Sequence, residues 1–102
     1  MKYVFINHFN ENMAKLTTEE KVAIREKTAE WLDAHVQSGK CLQVFCDCAG
    51  TMLLSIWDIT EEECFVFGLQ APLRDFVSIT YYPVIDFDTA KQLFRQTYSL
   101  QK

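Results

Sequence analysis

Two capping boxes fix where helices begin in this chain, and they constrain everything placed around them. Thr17 is followed by Glu20, and Thr60 by Glu63. In each pair the hydroxyl and the carboxylate satisfy backbone N–H groups that the first helical turn leaves free. The first box predicts a helix running to about Ser38, where Gly39 ends it as a C′ residue. Its apolar stripe is Ile24, Thr28, Trp31, Leu32, His35 and Val36, at helical spacing. The second box opens a short helix through Leu69, and Pro72 closes that segment because proline cannot continue a helix.

Strand-like runs surround these helices. KYVFINHF (2–9) is β-branched and aromatic, and ENMAKLT reads as a polar connection. CLQVFCD (41–47) and TMLLSIWDI (51–59) read as strands joined by Cys48, Ala49 and Gly50, a three-residue hairpin connection ending in glycine. DFVSITYYPVI (75–85) is a fourth strand. Asp86 or Asp88 then caps a last helix with Ala90, Leu93, Phe94, Thr97 and Tyr98 on one side. The order β-α-β-β-α-β-α predicts an α+β fold: a ferredoxin-like βαββαβ sandwich with an added C-terminal helix, as one domain over residues 1–102.

With 49% hydrophobic residues, the chain has ample material for a packed core without disulfides. A net charge of -4 and scattered basic residues argue against nucleic-acid binding, which needs clustered Lys and Arg. No apolar run approaches the ~20 residues that span a bilayer, so no membrane partner is expected. MKYVFINHFNEN is too short and too broken by Asn and His for a signal peptide. The expectation is a cytoplasmic protein with Cys41, Cys46, Cys48 and Cys64 reduced.

Strand side chains alternate between faces, so each strand divides into two sets. The aliphatic set of Val4, Ile6, Leu42, Val44, Leu54, Ile56, Val77 and Ile79 is assigned to the face under the helices. The other set is Tyr3, Phe5 and Asn7; Gln43, Phe45 and Asp47; Leu53, Ser55 and Trp57; Ser78, Thr80 and Tyr82. Its aromatic area is of a size that signals binding. A two-fold partner packing sheet against sheet would cover it. Such a homodimer, or a higher homo-oligomer, either holds a small-molecule pocket between its sheets or packs without a cavity.

From Gly39 to Ile85 the sequence resembles the muconolactone isomerase family. The resemblance rests on Gly39 before the second strand, SIWDI (55–59), Leu69 before APL (71–73), and DFVSITYYPV beyond. It implies a dimeric α/β barrel built from two ferredoxin-like chains, often within a larger oligomer. It also implies a cofactor-free proton shift in an unsaturated lactone that bears a carboxylate. The second strand departs from the family's aromatic and basic tendency, with Cys41, Leu42, Gln43 and Cys46 there. The expected pocket set contains no Lys or Arg to hold a carboxylate; Arg74 and Lys40 lie near strand ends, at a pocket mouth.

A proton shift beside a carbonyl needs a base and donors aimed at the developing oxyanion. Asp47 is the candidate base, its pKa raised by desolvation; the competing reading has it ending the strand and accepting N–H groups of the turn. His8 is a second titratable candidate, facing the helix side at a strand end unless a bulge turns it. Tyr82, with Tyr3, Asn7, Ser78 and Thr80, offers donors to an enolate oxygen, while Phe5, Gln43, Phe45, Ser55 and Trp57 complete the wall. Cys46 and Cys48 lie too far apart along a strand to close a disulfide, and the Cys and His residues show no zinc-site spacing. No metal or cofactor is expected. Two further readings of the same scaffold are a cofactor-independent monooxygenase and a non-catalytic ligand-binding or assembly module. In CFVFGL (64–69), Phe65 and Phe67 face different sides, so one meets a neighbouring subunit or lies under the C-terminal segment, where Tyr98 and Leu100 are available to dock.

Overall fold

The computed structural model describes residues 1–100, and side chains through Tyr98. Strand β1 (Lys2–Phe9) leads through a one-turn helix α1 (Glu11–Ala14) to the long helix α2 (Thr18–Gln37). Strands β2 (Cys41–Cys46) and β3 (Met52–Asp58) form the hairpin, and helix α3 (Glu61–Gln70) follows. A 3-10 turn (Arg74–Phe76) enters β4 (Val77–Val84), and α4 (Phe87–Leu100) ends the described chain. The four strands form one antiparallel sheet in the order β2-β3-β1-β4. This is the ferredoxin-like α+β arrangement with an added C-terminal helix.

Both capping boxes form. Thr17 N donates to Glu20 Oε1 at 2.9 Å while Glu20 N donates to Thr17 Oγ1 at 3.2 Å, and Thr60 and Glu63 repeat the exchange. Gly39 ends α2 with φ +82°, a left-handed conformation that a side chain would strain. The segment ENMAKLT differs from its reading as a plain connection. Asn10 caps α1 by accepting from Asn12 N, Met13 is buried, and Asn12 Nδ2 donates to the Asp75 carbonyl at 3.1 Å. Four residues carry too little periodicity for a helix to be read from them.

The sheet's two faces also differ from expectation. Tyr3, Phe5 and Trp57 are buried beneath the helices in one cluster with Cys41, Ile59 and Cys64; Trp31, Leu32 and Phe67 pack onto it, and Ser55 is buried on the same face. Val4, Ile6, Leu54 and Ile56, assigned to the helix side, lie on the opposite face. The register sets this: opposed residues share a face, and Val4 pairs with Ile56 and Tyr82, Ile6 with Leu54 and Thr80. Val77 and Ile79 do lie on the helix side, opposite Phe9 and Asn7. A bulge between Cys41 and Gln43 shifts β2, so that Cys41 and Val44 both turn toward the helices while Gln43 and Phe45 turn away.

The physical reason is area. Aromatic side chains bury about 150–250 Å² each, so placing Tyr3, Phe5 and Trp57 under the helices removes more apolar surface from water than placing Val4, Ile6 and Ile56 there. Among the described residues, no element covers the aliphatic face.

Helix α4 stands apart. The Cα extents are 61 × 27 × 23 Å, and only an element leaving the end of the sheet gives that long dimension. Its Phe87, Leu93, Phe94 and Tyr98 are exposed. In α3, Phe67 turns into the core and Phe65 is exposed. Tyr98 is exposed and docks on none of the described residues, and the side chain of Leu100 lies outside them.

Candidate functional site

A cleft opens between the helix side of the sheet and the inner faces of α2 and α3. Its inner section encloses about 40 Å³. Phe5, Asn7, Ser55 and Trp57 form the floor, Trp31 and Phe67 the walls. The α2 stripe carries Trp31 inward, and the position of Phe67 on α3 brings it to the same place. The ring centroids of Trp31 and Trp57 are 5.6 Å apart, and those of Trp57 and Phe67 5.5 Å.

Two polar groups on the floor behave differently. Trp57 Nε1 donates to Ser55 Oγ at 2.8 Å, so that pair is satisfied. Asn7 Oδ1 is buried and has no hydrogen-bond partner. A buried acceptor left unpaired costs about 1–3 kcal/mol. The side-chain amide of Asn7 thus gives the cleft a fixed polar point against an aromatic wall. No ionisable side chain lines this inner section.

An outer section of about 180 Å³ continues the cleft toward the β2–β3 hairpin. The two sections share Thr28, Leu32, Leu53 and Leu73. Arg25 and Cys46 line the outer one, and the Arg25 guanidinium lies 5.6 Å from the centroid of the Phe9 ring.

Beside the inner section, His35 in the last turn of α2 lies 4.6 Å from both the Trp31 and the Phe67 ring centroids. Burial among these rings, reinforced by the positive charge of Lys40, holds its pKa below the ordinary histidine value. It is neutral at pH 7. Burial also raises the thiol pKa values of Cys41 and Cys64, which keeps both protonated.

The residues expected to line a pocket divide between three places. Tyr3, Phe5, Asn7, Ser55 and Trp57 come together on the helix side, all but Tyr3 lining the inner cleft. Gln43, Phe45, Ser78, Thr80 and Tyr82 occupy the open face with His8, which pairs with Ser78 and Met52 at a strand end. Arg74 lies at the foot of α3, where its guanidinium donates to the Leu69 carbonyl at 3.1 Å.

Asp47 belongs to the hairpin turn. Its Oδ1 accepts from Thr51 N at 2.7 Å and Met52 N at 2.9 Å, and its Oδ2 accepts from the Thr51 hydroxyl. The Thr51 hydroxyl contact, with the turn's N–H groups, holds the Asp47 carboxyl below its ordinary pKa. Such a carboxylate is a weak base.

The cleft walls Trp31, Thr28 and Phe67 and the outer Arg25 were absent from the expected set. The signal for the first two was present in the α2 stripe, which reads equally as ordinary core. Among the described residues no three His, Cys, Asp or Glu side chains form a metal-binding group, and no helix is long and apolar enough to cross a membrane. No family model matches this sequence, and no curated protein matches it significantly.

Proposed function

We propose that this protein is a cytoplasmic homo-oligomer of muconolactone isomerase-like build that binds a small, largely apolar molecule in the helix-side cleft. The observation that carries the reading is the unpaired Asn7 amide facing an aromatic wall. An amide presents an acceptor and a donor from one position. It suits a neutral compound with a hydroxyl or carbonyl group, since no charged side chain lines the inner section to hold a carboxylate.

The homo-oligomer is supported by the open face. Val4, Ile6, Leu54 and Ile56 form its apolar centre, and a second sheet packed across a two-fold axis covers both faces at once.

A second reading, a cofactor-free isomerase acting on an enolisable lactone, is supported by His35. A neutral imidazole beside the cleft serves as a base at pH 7. With the Phe67 ring moved aside by the ligand, it would take the proton next to the carbonyl and return it to the far carbon of the enolate, while the Asn7 amide donates to the enolate oxygen.

Both readings are tested with a panel of neutral and anionic lactones. Binding is followed through the fluorescence of Trp31 and Trp57, and proton transfer by deuterium uptake in D2O. The expected result is saturable quenching by neutral members, weakened at least about tenfold, or ~1.4 kcal/mol, in Asn7→Leu. Deuterium uptake lost in His35→Gln with binding retained supports the isomerase. Binding without uptake leaves a ligand-binding module, and quenching unaltered in Asn7→Leu contradicts the cleft as the site.

A further inference from the structure

Helix α4 is amphipathic, and its apolar side has no partner among the described residues. Phe87, Leu93, Phe94 and Tyr98 are all exposed, at the spacing that lines one helix face. Only Ile85 and Asp86 connect it to β4. The Asp86 carbonyl accepts the first helical bond from Ala90, and the Asp86 carboxylate meets Lys2 Nζ at 3.3 Å on β1. The start of α4 is therefore held at the corner of the sheet, with little slack for the helix to fold back.

A second bare surface borders the inner cleft, which Gly68 and Ile79 also line. On the helix side of the edge strand β4, Ile79 and Tyr81 are exposed, as are Phe65 and Leu69 on α3. A Cβ at Gly68 would meet nothing within 4 Å, so the flank of α3 is open there. The charges beside the two surfaces are opposite. Glu61 and Glu62 stand one turn before Phe65, and Arg95 follows Phe94; among the described residues none of the three makes an ion pair.

We propose that α4 is an exchanged arm: in the homodimer, the α4 helix of each copy seats on the β4–α3 flank of the other. The inference rests on the homodimer reading and deepens it. Area argues for it. Four strands about 4.8 Å apart, over about six residues at ~3.3 Å rise, present roughly 400 Å² of sheet face. A standard interface takes about 800 Å² per partner, so the open face alone reaches about half of that. The 14 residues of α4 make a helix about 21 Å long and about 10 Å across. Its apolar side adds about 200 Å², and the flank receiving the partner's helix adds as much again, which brings each chain to about the standard size. Exchange of an identical element is a low-cost route to a two-fold dimer.

The test places a p-benzoylphenylalanine photocrosslinker at position 94 of the full chain, and measures dissociation of the Phe94→Glu and Ile56→Lys variants by sedimentation. The expected product has dimer mass, with the crosslink mapping to residues 61–81, and it vanishes in Ile56→Lys. Phe94→Glu raises the dimer dissociation constant at least tenfold with unchanged circular dichroism. Crosslinks confined to one chain, or a dimer indifferent to Phe94→Glu, overturn the exchanged arm while leaving the dimer in place. A wild-type chain that sediments as a monomer throughout the micromolar range overturns the homodimer reading and the arm with it.

Discussion

The two faces of the sheet are made from similar numbers of apolar residues, yet they are built differently. On the helix side, Phe5 and Trp57 meet Trp31 and Phe67 in a layer of rings that interlock imperfectly, leaving a cleft with one unpaired amide. On the open side, Val4, Ile6, Leu54 and Ile56 form a smoother aliphatic surface that no described element covers. Large rigid rings fill space in coarse units, so gaps remain between them. Branched aliphatic chains pack on a pleated surface in smaller units and suit a continuous contact between two sheets. On the proposed reading, the helix side holds the ligand cleft and the open side carries the sheet-to-sheet contact of the dimer.

The comparison breaks most visibly through stability. Trp57→Ala is expected to cost about 3–5 kcal/mol, as for other buried aromatics, read as a lowered urea midpoint. Ile56→Ala on the open face, measured at low protein concentration, should cost about 1 kcal/mol or less. Equal losses would mean that the open face is as much core as the helix side.

Association gives the next largest effect. Ile56→Lys should convert the proposed oligomer to monomer while leaving the near-ultraviolet signal of the tryptophans intact, because the charge lies across the sheet from them. An unchanged sedimentation coefficient would remove the partner from the open face.

Asn7→Leu should raise stability by about 1 kcal/mol, since it replaces an unpaired buried acceptor by an apolar group, while weakening ligand binding. A loss of stability would show that Asn7 is already satisfied in the free protein.

The smallest effect concerns pH. The folded-state pKa of His35 is depressed, so the unfolded chain binds the proton more readily and stability falls as pH drops below about 6.5 toward the folded value. His35→Gln should flatten the stability profile between pH 7.5 and 5, as followed by thermal melts. A profile that stays as steep without His35 would assign the acid sensitivity to other groups.

Much of the fold was legible because its signals are local. Thr17 with Glu20 and Thr60 with Glu63 mark helix starts through bonds made within three residues, and Gly39 marks an end through its own backbone angle. The hairpin between β2 and β3 is legible for the same reason. Which face of each strand turns inward is not a local property. Alternation yields Val4 and Ile6 as one set and Tyr3 and Phe5 as another, but the choice between them depends on Trp31 and Phe67, supplied by helices elsewhere in the chain. The bulge after Cys41 is hidden for a similar reason, since it follows from pairing with Ile56 and Trp57. Asp47 shows the limit most clearly: one residue type serves turns and catalysis alike, and only the contacts with Thr51 and Met52 reveal that the turn engages both of its oxygens.

The most direct test follows the ligand by NMR. The chain has two tryptophans, both lining the inner cleft, so two indole N–H signals report on it. Titration with a neutral lactone that quenches tryptophan fluorescence should shift both indole signals and leave the methyl signals of Val4, Ile6, Leu54 and Ile56 in place. Shifts confined to those methyl groups, with both indoles unmoved, would put the ligand on the open face and contradict the account.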